Sequence, residues 1–194
     1  MPTPSVEPIL VDEIGSPIGR IVIAARGGRL CALEFGRARV TRAMAVRYPR
    51  TRLVRARNPF GFSTRIRAYL AGDLAAVDRI PVDTGGTPFQ QRVWQALRRI
   101  RAGRTRSYGE LAHALGHGAA ARAVGAANGH NPVSIVVPCH RLVGGDASLT
   151  GYGGGLWRKR WLLRHEGADR AASRGGAGAR SRAGRSTGRR RSPR

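Results

Sequence analysis

Lysine is all but missing from this chain: Lys159 is the only one. Acidic residues are scarce too, with Lys+Arg 35 against Asp+Glu 11 and a formal net charge of +24. An arginine excess of this size suits a polyanionic partner, most simply nucleic acid. A biased genome composition would produce the same excess, so charge by itself does not choose between the two. Cysteine is limited to Cys31 and Cys139, each without a CxxC or Cys/His ligand spacing. That excludes a disulfide scaffold and favours a reducing cytoplasm. No stretch approaches the ~20 apolar residues of a membrane span. The opening "MPTPSVEPILVDEIG" lacks the basic and apolar regions of a signal peptide. No internal repeat is present, and 194 residues leave room for one domain or two small ones.

Local patterns divide the chain. "GRIVIAARGGRLCALEF" holds two β-rich runs around "RGG", a hairpin signal, with Cys31 as a small buried hydrophobe in the second run. "RNPFGFSTRIRAYLAGDL" predicts a helix through Ile66, Tyr69 and Leu70 that stops near Gly72, and "RIPVDTGG" a last strand and a linker. A second unit starts at Thr87, an N-cap with Pro88 in the first helical position and Gln90 closing a capping box. Phe89, Val93, Leu97 and Ile100 make one apolar stripe, and that helix should end near Gly103. Ser107 and Glu110 form another capping box before "YGELAHAL", which stops at Gly116, and "AAARAVGAANG" follows as small-residue helical sequence. These two short helices could be a helix-turn-helix or an ordinary packed pair. "LWRKRWLLRHEG" is a final helix, with Trp157 and Trp161 one turn apart and Gly167 as its stop. From Ala168 on, only small residues, Pro, Asp and Arg occur, a composition that reads as a disordered basic tail.

The chemistry concentrates in "SIVVPCHRLVGGD", where the buried-looking run Ile135-Val136-Val137 meets Pro138, Cys139, His140 and Arg141. A lone cysteine is ordinarily a small core residue. Here His140 supplies a base, Arg141 a charge that favours thiolate, and the glycine-rich "TGYGGG" a place where backbone can approach a ligand closely. Side chains at consecutive positions of an extended strand point apart, so His140 would need a turn or a bridging water to reach the thiol. No further Cys or spaced His completes a metal site, and Gly116 breaks the helix between His113 and His117.

Taken together, "TPFQQRVWQAL", "TRSYGELA", "ARAVGAANG", "NPVSIVVPCHRLVG" and "TGYGGGLWRKRWLLRHEG" resemble the O6-alkylguanine-DNA alkyltransferases, closest to the bacterial Ogt type. The resemblance is specific from Thr87 to Gly167 and looser over "SPIGRIVIAARGGRLCALEF". It implies an α/β (α+β) fold. A small ribonuclease-H-like N-terminal domain (1–83) would precede a mostly helical, winged-helix-like domain with a helix-turn-helix (84–167), with the Arg-rich tail (168–194) outside the family pattern. It also implies roles. Cys139 is the alkyl acceptor, His140 its base through a bound water, and Glu166 the carboxylate that holds the imidazole. Asn131 is the hinge residue, and Tyr108 the phenol that donates toward guanine N3. Arg122 is the finger that replaces the extruded nucleotide, within a DNA-binding set of Ala121, Ala123, Gly125 and Arg141. Tyr152 walls the pocket, and backbone groups near Cys139, Leu142 and Gly153 read the guanine edge. The partner implied is double-stranded DNA carrying O6-alkylguanine, bound in the minor groove by a cytoplasmic monomer. No cofactor, metal or membrane is implied.

Departures are few. Asn128 stands where some relatives carry an apolar side chain, and "GGDASL" is a variable loop that leaves alkyl-size limits and O4-alkylthymine activity open. The N-terminal zinc site of some relatives has no ligands here, since Cys31 has no cysteine partner. Two rivals differ in class. A lesion-binding protein of the alkyltransferase-like kind would lack the cysteine, and a Cys–His hydrolase would need an oxyanion hole that no motif supplies.

Overall fold

The structure, a computed structural model, describes residues 7–168 apart from His117 and Ala119. The expected tail from residue 169 onward and His117 of the His113/His117 pair therefore lie outside the described residues. β1 (Ile9–Ile14), β2 (Ile21–Arg26) and β3 (Arg29–Glu34) form an antiparallel meander. The short β4 (Leu53–Arg55) lies parallel to β1, so the sheet order is β3-β2-β1-β4. The hairpin turn falls on Gly27 and Gly28, with φ of 54° and 69°. Both are in the left-handed region that a two-residue hairpin turn requires.

Two helices cover the sheet. α1 (Arg37–Arg47) lies on one face, where Val40 and Met44 close a small core with Ile9, Val11, Val22, Ala24, Cys31 and Ala32. Cys31 is wholly buried there, as expected of a small hydrophobe. α2 (Phe62–Leu70) packs on the other face through Phe62, Ile66 and Tyr69, in a core continuous with the rest of the chain. The sequence patterns predict α2 but neither α1, β1 nor β4. The reason for α1 is physical: only Val40 and Met44 are buried, Gly36 gives no side-chain cap, and arginines dilute the stripe. The strand expected at "RIPVDTGG" is reduced to a single bridge from Val82 to Leu30.

The second unit begins where the capping residues place it. In α3 (Pro88–Arg98) the Gln90 amide donates to the Thr87 hydroxyl at 3.3 Å and the Thr87 amide to Gln90 Oε1 at 2.9 Å. Ser107 and Glu110 repeat the exchange at 3.1 and 2.6 Å before α4 (Tyr108–Ala114). Each box is worth about 1 kcal/mol. α3 stops at Arg98 rather than near Gly103, although Ile100 still points into the core. α5 (Ala121–Gly129) packs on α3 and α4, and α6 (Leu156–His165) closes the unit. Between them, β5 (Arg106–Ser107) and β6 (Leu142–Val143) pair in parallel. Ile135, Val136 and Val137 are buried as expected but form turns, with Ile135 at φ 71°. The two units are pinned where the Leu33 amide donates to the Pro132 carbonyl at 3.0 Å and the Ser134 amide to the Leu33 carbonyl at 2.9 Å. Among the described residues, no helix is long and apolar enough to cross a membrane.

The linker packs closely on α3. Gly86 has φ +81°, and a Cβ there would lie 2.6 Å from the Trp94 ring. Gly28 has φ +69° with open space around it. Gly28→Ala should therefore cost only the backbone term of about 1 kcal/mol, while Gly86→Ala should cost about 2–4 kcal/mol because the ring must also move. Urea unfolding of both variants checks this, and equal losses would show that the ring contact counts for nothing.

Candidate active site

α5 ends at Gly129 and the chain turns at once through Asn131. This side chain is 5 % exposed and fully used: Nδ2 donates to the Val137 carbonyl at 2.8 Å, and Oδ1 accepts the Val133 amide at 3.0 Å. It thereby fixes the loop that presents Cys139. Pro138 interrupts amide donation, and Cys139–Arg141 form one 3-10 turn. The turn removes the strict alternation of an extended strand, in which consecutive side chains lie on opposite faces. Cys139 is buried, and burial pushes its thiol up to about 11, Glu34 adding to the push while the Asn131 amide and the Lys159 charge oppose it.

His140 is wholly buried, with Nε2 3.0 Å from Glu166 Oε1. Nε2–H is the donor in that contact, since the carboxylate can only accept. The remaining nitrogen, Nδ1, has no protein partner among the described residues and carries the basic lone pair. Burial holds the imidazole below its ordinary value, Glu166 pulling the other way. Glu166 also accepts from the Tyr69 hydroxyl at 2.7 Å and from Arg141 Nη2 and Nε at 2.7 and 2.9 Å. Burial alone would raise this carboxyl, but His140 and Arg141 hold it well below the usual carboxylate range. It is a fixed negative charge with four donors aimed at it.

Arg141 requires a correction. The sequence places it among the DNA contacts and as a charge favouring thiolate. It is instead 3 % exposed, forked onto Glu166, with Nη1 donating to the Ile100 carbonyl at 2.5 Å. A guanidinium buried in that position neutralises Glu166 and does not reach the surface where a phosphate would lie.

Cys139 opens on a cavity of about 380 Å³ whose lining includes Tyr108, Gly125, Asn128, Thr150, Tyr152 and Gly153. That size is within the range of small-molecule and base pockets. Tyr108, Tyr152, Gly125 and Gly153 are thus brought to Cys139. Gly125 brings α5 close: a Cβ there would lie 3.8 Å from the Tyr108 ring. Tyr152 leans on Phe35, ring centroids 6.2 Å apart, and the Gly153 carbonyl accepts from Arg39 Nη1 at 2.6 Å. Leu142 is wholly buried on β6, so only its backbone is available to a ligand. Arg122 and Ala123 are exposed near the start of α5, and Ala121 is half-buried. Among the described residues no group of His, Cys, Asp and Glu could hold a metal.

Four residues of this neighbourhood were not singled out for such roles from sequence. Tyr69 belongs to the apolar stripe of α2, but its hydroxyl reaches Glu166. Glu34 ends β3 almost buried, and burial lifts its carboxyl to about 7 although Arg39 stands 3.7 Å away. Asn128 lines the cavity. Lys159 is fully buried, its Nζ donating to the Thr150 carbonyl at 2.7 Å and lying 5.9 Å from the centre of the Tyr108 ring. Burial lowers it to about 8, with Cys139 pulling the other way. Its signal was in the sequence: Lys159, Leu162, Leu163 and Glu166 share one face of α6, an inward face on which a lone lysine is unexpected.

Comparison with known proteins follows the same division of the chain. Residues 12–84 match the family model described as "6-O-methylguanine DNA methyltransferase, ribonuclease-like domain". Residues 88–168 match "6-O-methylguanine DNA methyltransferase, DNA binding domain". The methylated-DNA–protein-cysteine methyltransferase of Shigella flexneri is 48 % identical over 164 residues, which are 82 % of this chain and 96 % of the relative. The Mycobacterium tuberculosis protein of the same name is 47 % identical over 156 residues, 79 % and 89 % of the two chains. Among solved structures, Mycobacterium tuberculosis OGT in complex with DNA superposes with a TM-score of 0.69 at 43 % identity, covering 82 % of this chain and 93 % of its own.

The buried His140–Glu166 pair has a pH signature. His140 in the folded state lies below its unfolded value near 6.5, so the unfolded chain takes up that proton first and stability falls as pH drops below about 6.5. Glu166, depressed from 4.5, adds a second loss as pH falls below about 4.5 toward its folded value. Imidazole ¹⁵N shifts should report a neutral His140 protonated on Nε2 at pH 6. A signal from the charged ring at that pH would contradict the arrangement.

Proposed function

The chain belongs to the 6-O-methylguanine DNA methyltransferase family, and from that premise we propose that Cys139 is the acceptor through which it repairs alkylated DNA. It is a DNA-binding transferase that moves an alkyl group from DNA to a cysteine of its own. The observation that carries the assignment to Cys139 is the buried relay behind it: a thiol, an imidazole whose Nδ1 is free, and a carboxylate that fixes the other ring nitrogen. This is nucleophile, base and orienter in the general sense.

The lesion lies inside the duplex, so the nucleotide must be turned out into the cavity at a cost of a few kcal/mol. α5 enters the minor groove, where sequence is poorly read, and Arg122 fills the gap in the stack. Little sequence preference follows. Once the base is seated, the Cys139 proton passes to His140 Nδ1, with a water as carrier, and the imidazolium is held by Glu166. The sulfur attacks the alkyl carbon in line with the bond to O6. A C–S bond forms, the C–O bond breaks, and its electron pair stays on guanine, whose growing charge the Tyr108 hydroxyl meets at N3. The thioether has no easy reverse reaction, so one chain performs one repair. Burial pushes the thiol up, so its proton must leave before the sulfur can attack. Free thiols of this kind suit a reducing cytoplasm, and one copy holds every residue used, so a monomer suffices.

Intact mass after incubation with an O6-methylguanine duplex should show one methyl group gained, located on Cys139 by peptide mapping. Cys139→Ala should abolish transfer and keep DNA binding, whereas Cys31→Ala should leave transfer intact. Methyl found on Cys31 would overturn the assignment. Glu166→Gln should slow single-turnover transfer about 100-fold.

Arg122→Ala separates flipping from chemistry. It should slow repair of duplex DNA far more than reaction with free O6-benzylguanine, which needs no extrusion. Equal losses on both substrates would remove the finger role.

A further inference from the structure

Glu166 Oε1 carries more donors than a relay to His140 needs. His140 Nε2 donates to it at 3.0 Å, Arg141 Nη2 at 2.7 Å and the Tyr69 hydroxyl at 2.7 Å. Arg141 also reaches Oε2 through Nε at 2.9 Å, and such a fork is enough to fix the plane of a carboxylate. Tyr69 is not needed for that plane. It is nevertheless wholly buried, and it comes from the N-terminal unit, 97 positions earlier in the chain. α6 holds it at both ends. His165 Nε2 donates to the Tyr69 carbonyl at 2.7 Å, and the two rings meet edge to face with centroids 5.2 Å apart. The hydroxyl is thereby aimed at the same oxygen that receives the imidazole.

We infer that Tyr69 is a positioning residue for the transfer: by sharing Oε1 with His140 it limits that oxygen's pull on an imidazolium, so the ring rests neutral and able to take the thiol proton. This role rests on the reading of Cys139 and His140 as acceptor and base. A donor hydrogen beside an anion draws charge toward itself, and less is left to stabilise a second, charged donor. His140 is faced by Glu166 and Lys159 from α6, by Arg141 and Cys139 from its own turn, and across Glu166 by Tyr69 from α2. Glu166 is the group that favours the charged ring, and the hydroxyl acts on it directly. Burial works on His140 in the same direction as the hydroxyl. Tyr69 is no proton source itself, because burial and the neighbouring carboxylate push its phenol far above its ordinary value. The N-terminal unit thus enters the chemistry through one shared oxygen.

Tyr69→Phe removes the hydroxyl and keeps the ring. Two readouts are followed from pH 5 to 8.5: the ¹⁵N shifts of the His140 ring, and the single-turnover rate with free O6-benzylguanine, in which DNA binding plays no part. The acid limb of the rate reports the proton on the base. Both midpoints should move up by about one pH unit in the variant, so the rate falls on the acid side and does not fall at pH 8.5. A hydroxyl with a merely structural role predicts something else, a loss at every pH with both midpoints unmoved, and that result would overturn the role of Tyr69. Fluorotyrosine in place of Tyr69 keeps the hydroxyl and strengthens its donation. It should move both midpoints down, which gives the answer even if the phenylalanine variant does not fold, and unmoved midpoints there would count against Tyr69 equally. A native protein that takes no alkyl group from O6-benzylguanine or from an O6-methylguanine duplex would overturn the reading of the site instead, and the ¹⁵N titration would still decide what Tyr69 does.

Discussion

Everything at the site depends on keeping one carboxylate charged where there is almost no water. Glu166 sits at the end of α6, and its four donors come from α2, through Tyr69, and from the turn after Cys139, through His140 and Arg141. An isolated carboxylate in such a place would take up a proton. The arginine makes ionisation tolerable, and the ionised group then dictates which nitrogen of His140 carries hydrogen. Three elements distant in sequence are thus tied to one charge, and breaking any one contact would leave the others buried and unbalanced, a loss of about 3–5 kcal/mol for a buried pair. Stability and activation of the thiol are consequences of the same contact.

The N-terminal unit is more than an appendage to this arrangement. A run of seven residues, Leu33 to Arg39, touches both sides of the pocket. Leu33 pairs by backbone with the segment that leads to Cys139. Phe35 packs on Tyr152, and a Cβ on Gly154 would lie only 2.7 Å from its ring. Arg39 reaches both Glu34 and the Gly153 carbonyl. The lip of the cavity is therefore built against the sheet of the other unit, which accounts for Gly153 and Gly154: side chains there would press on Arg39 and on Phe35, which hold the loop.

Much of this was legible beforehand, and what was not shares a cause. Helix starts at Thr87 and Ser107, the Gly27-Gly28 turn and the stops at Gly116 and Gly167 follow from local chemistry, in which a few adjacent residues decide the backbone. The family resemblance supplied the site set around Cys139. Arg141 was misplaced because its role depends on Glu166, which is far away in the chain but 2.7 Å away in the fold. Helix α1 is not legible because its two buried residues make too thin a stripe to detect against seven exposed or half-buried arginines and alanines. The turn conformation of Ile135 to Val137 is hidden for a similar reason: β-branched residues favour strands on average, and the hydrogen bonds that stabilise the alternative come from Asn131, from Leu33 and from within the turn itself.

The buried position of Lys159 has a consequence for how the protein can be handled and marked. Within these 194 residues it is the sole side-chain amine, and in the folded state it is 0 % exposed and occupied with the Thr150 carbonyl. Reagents and enzymes that act on lysine therefore meet a surface rich in cationic guanidinium groups with no ε-amine to attach to. Covalent tagging at lysine would first require α6 to come away from the pocket, so the acylation rate of this one amine is a direct gauge of how often the active site opens.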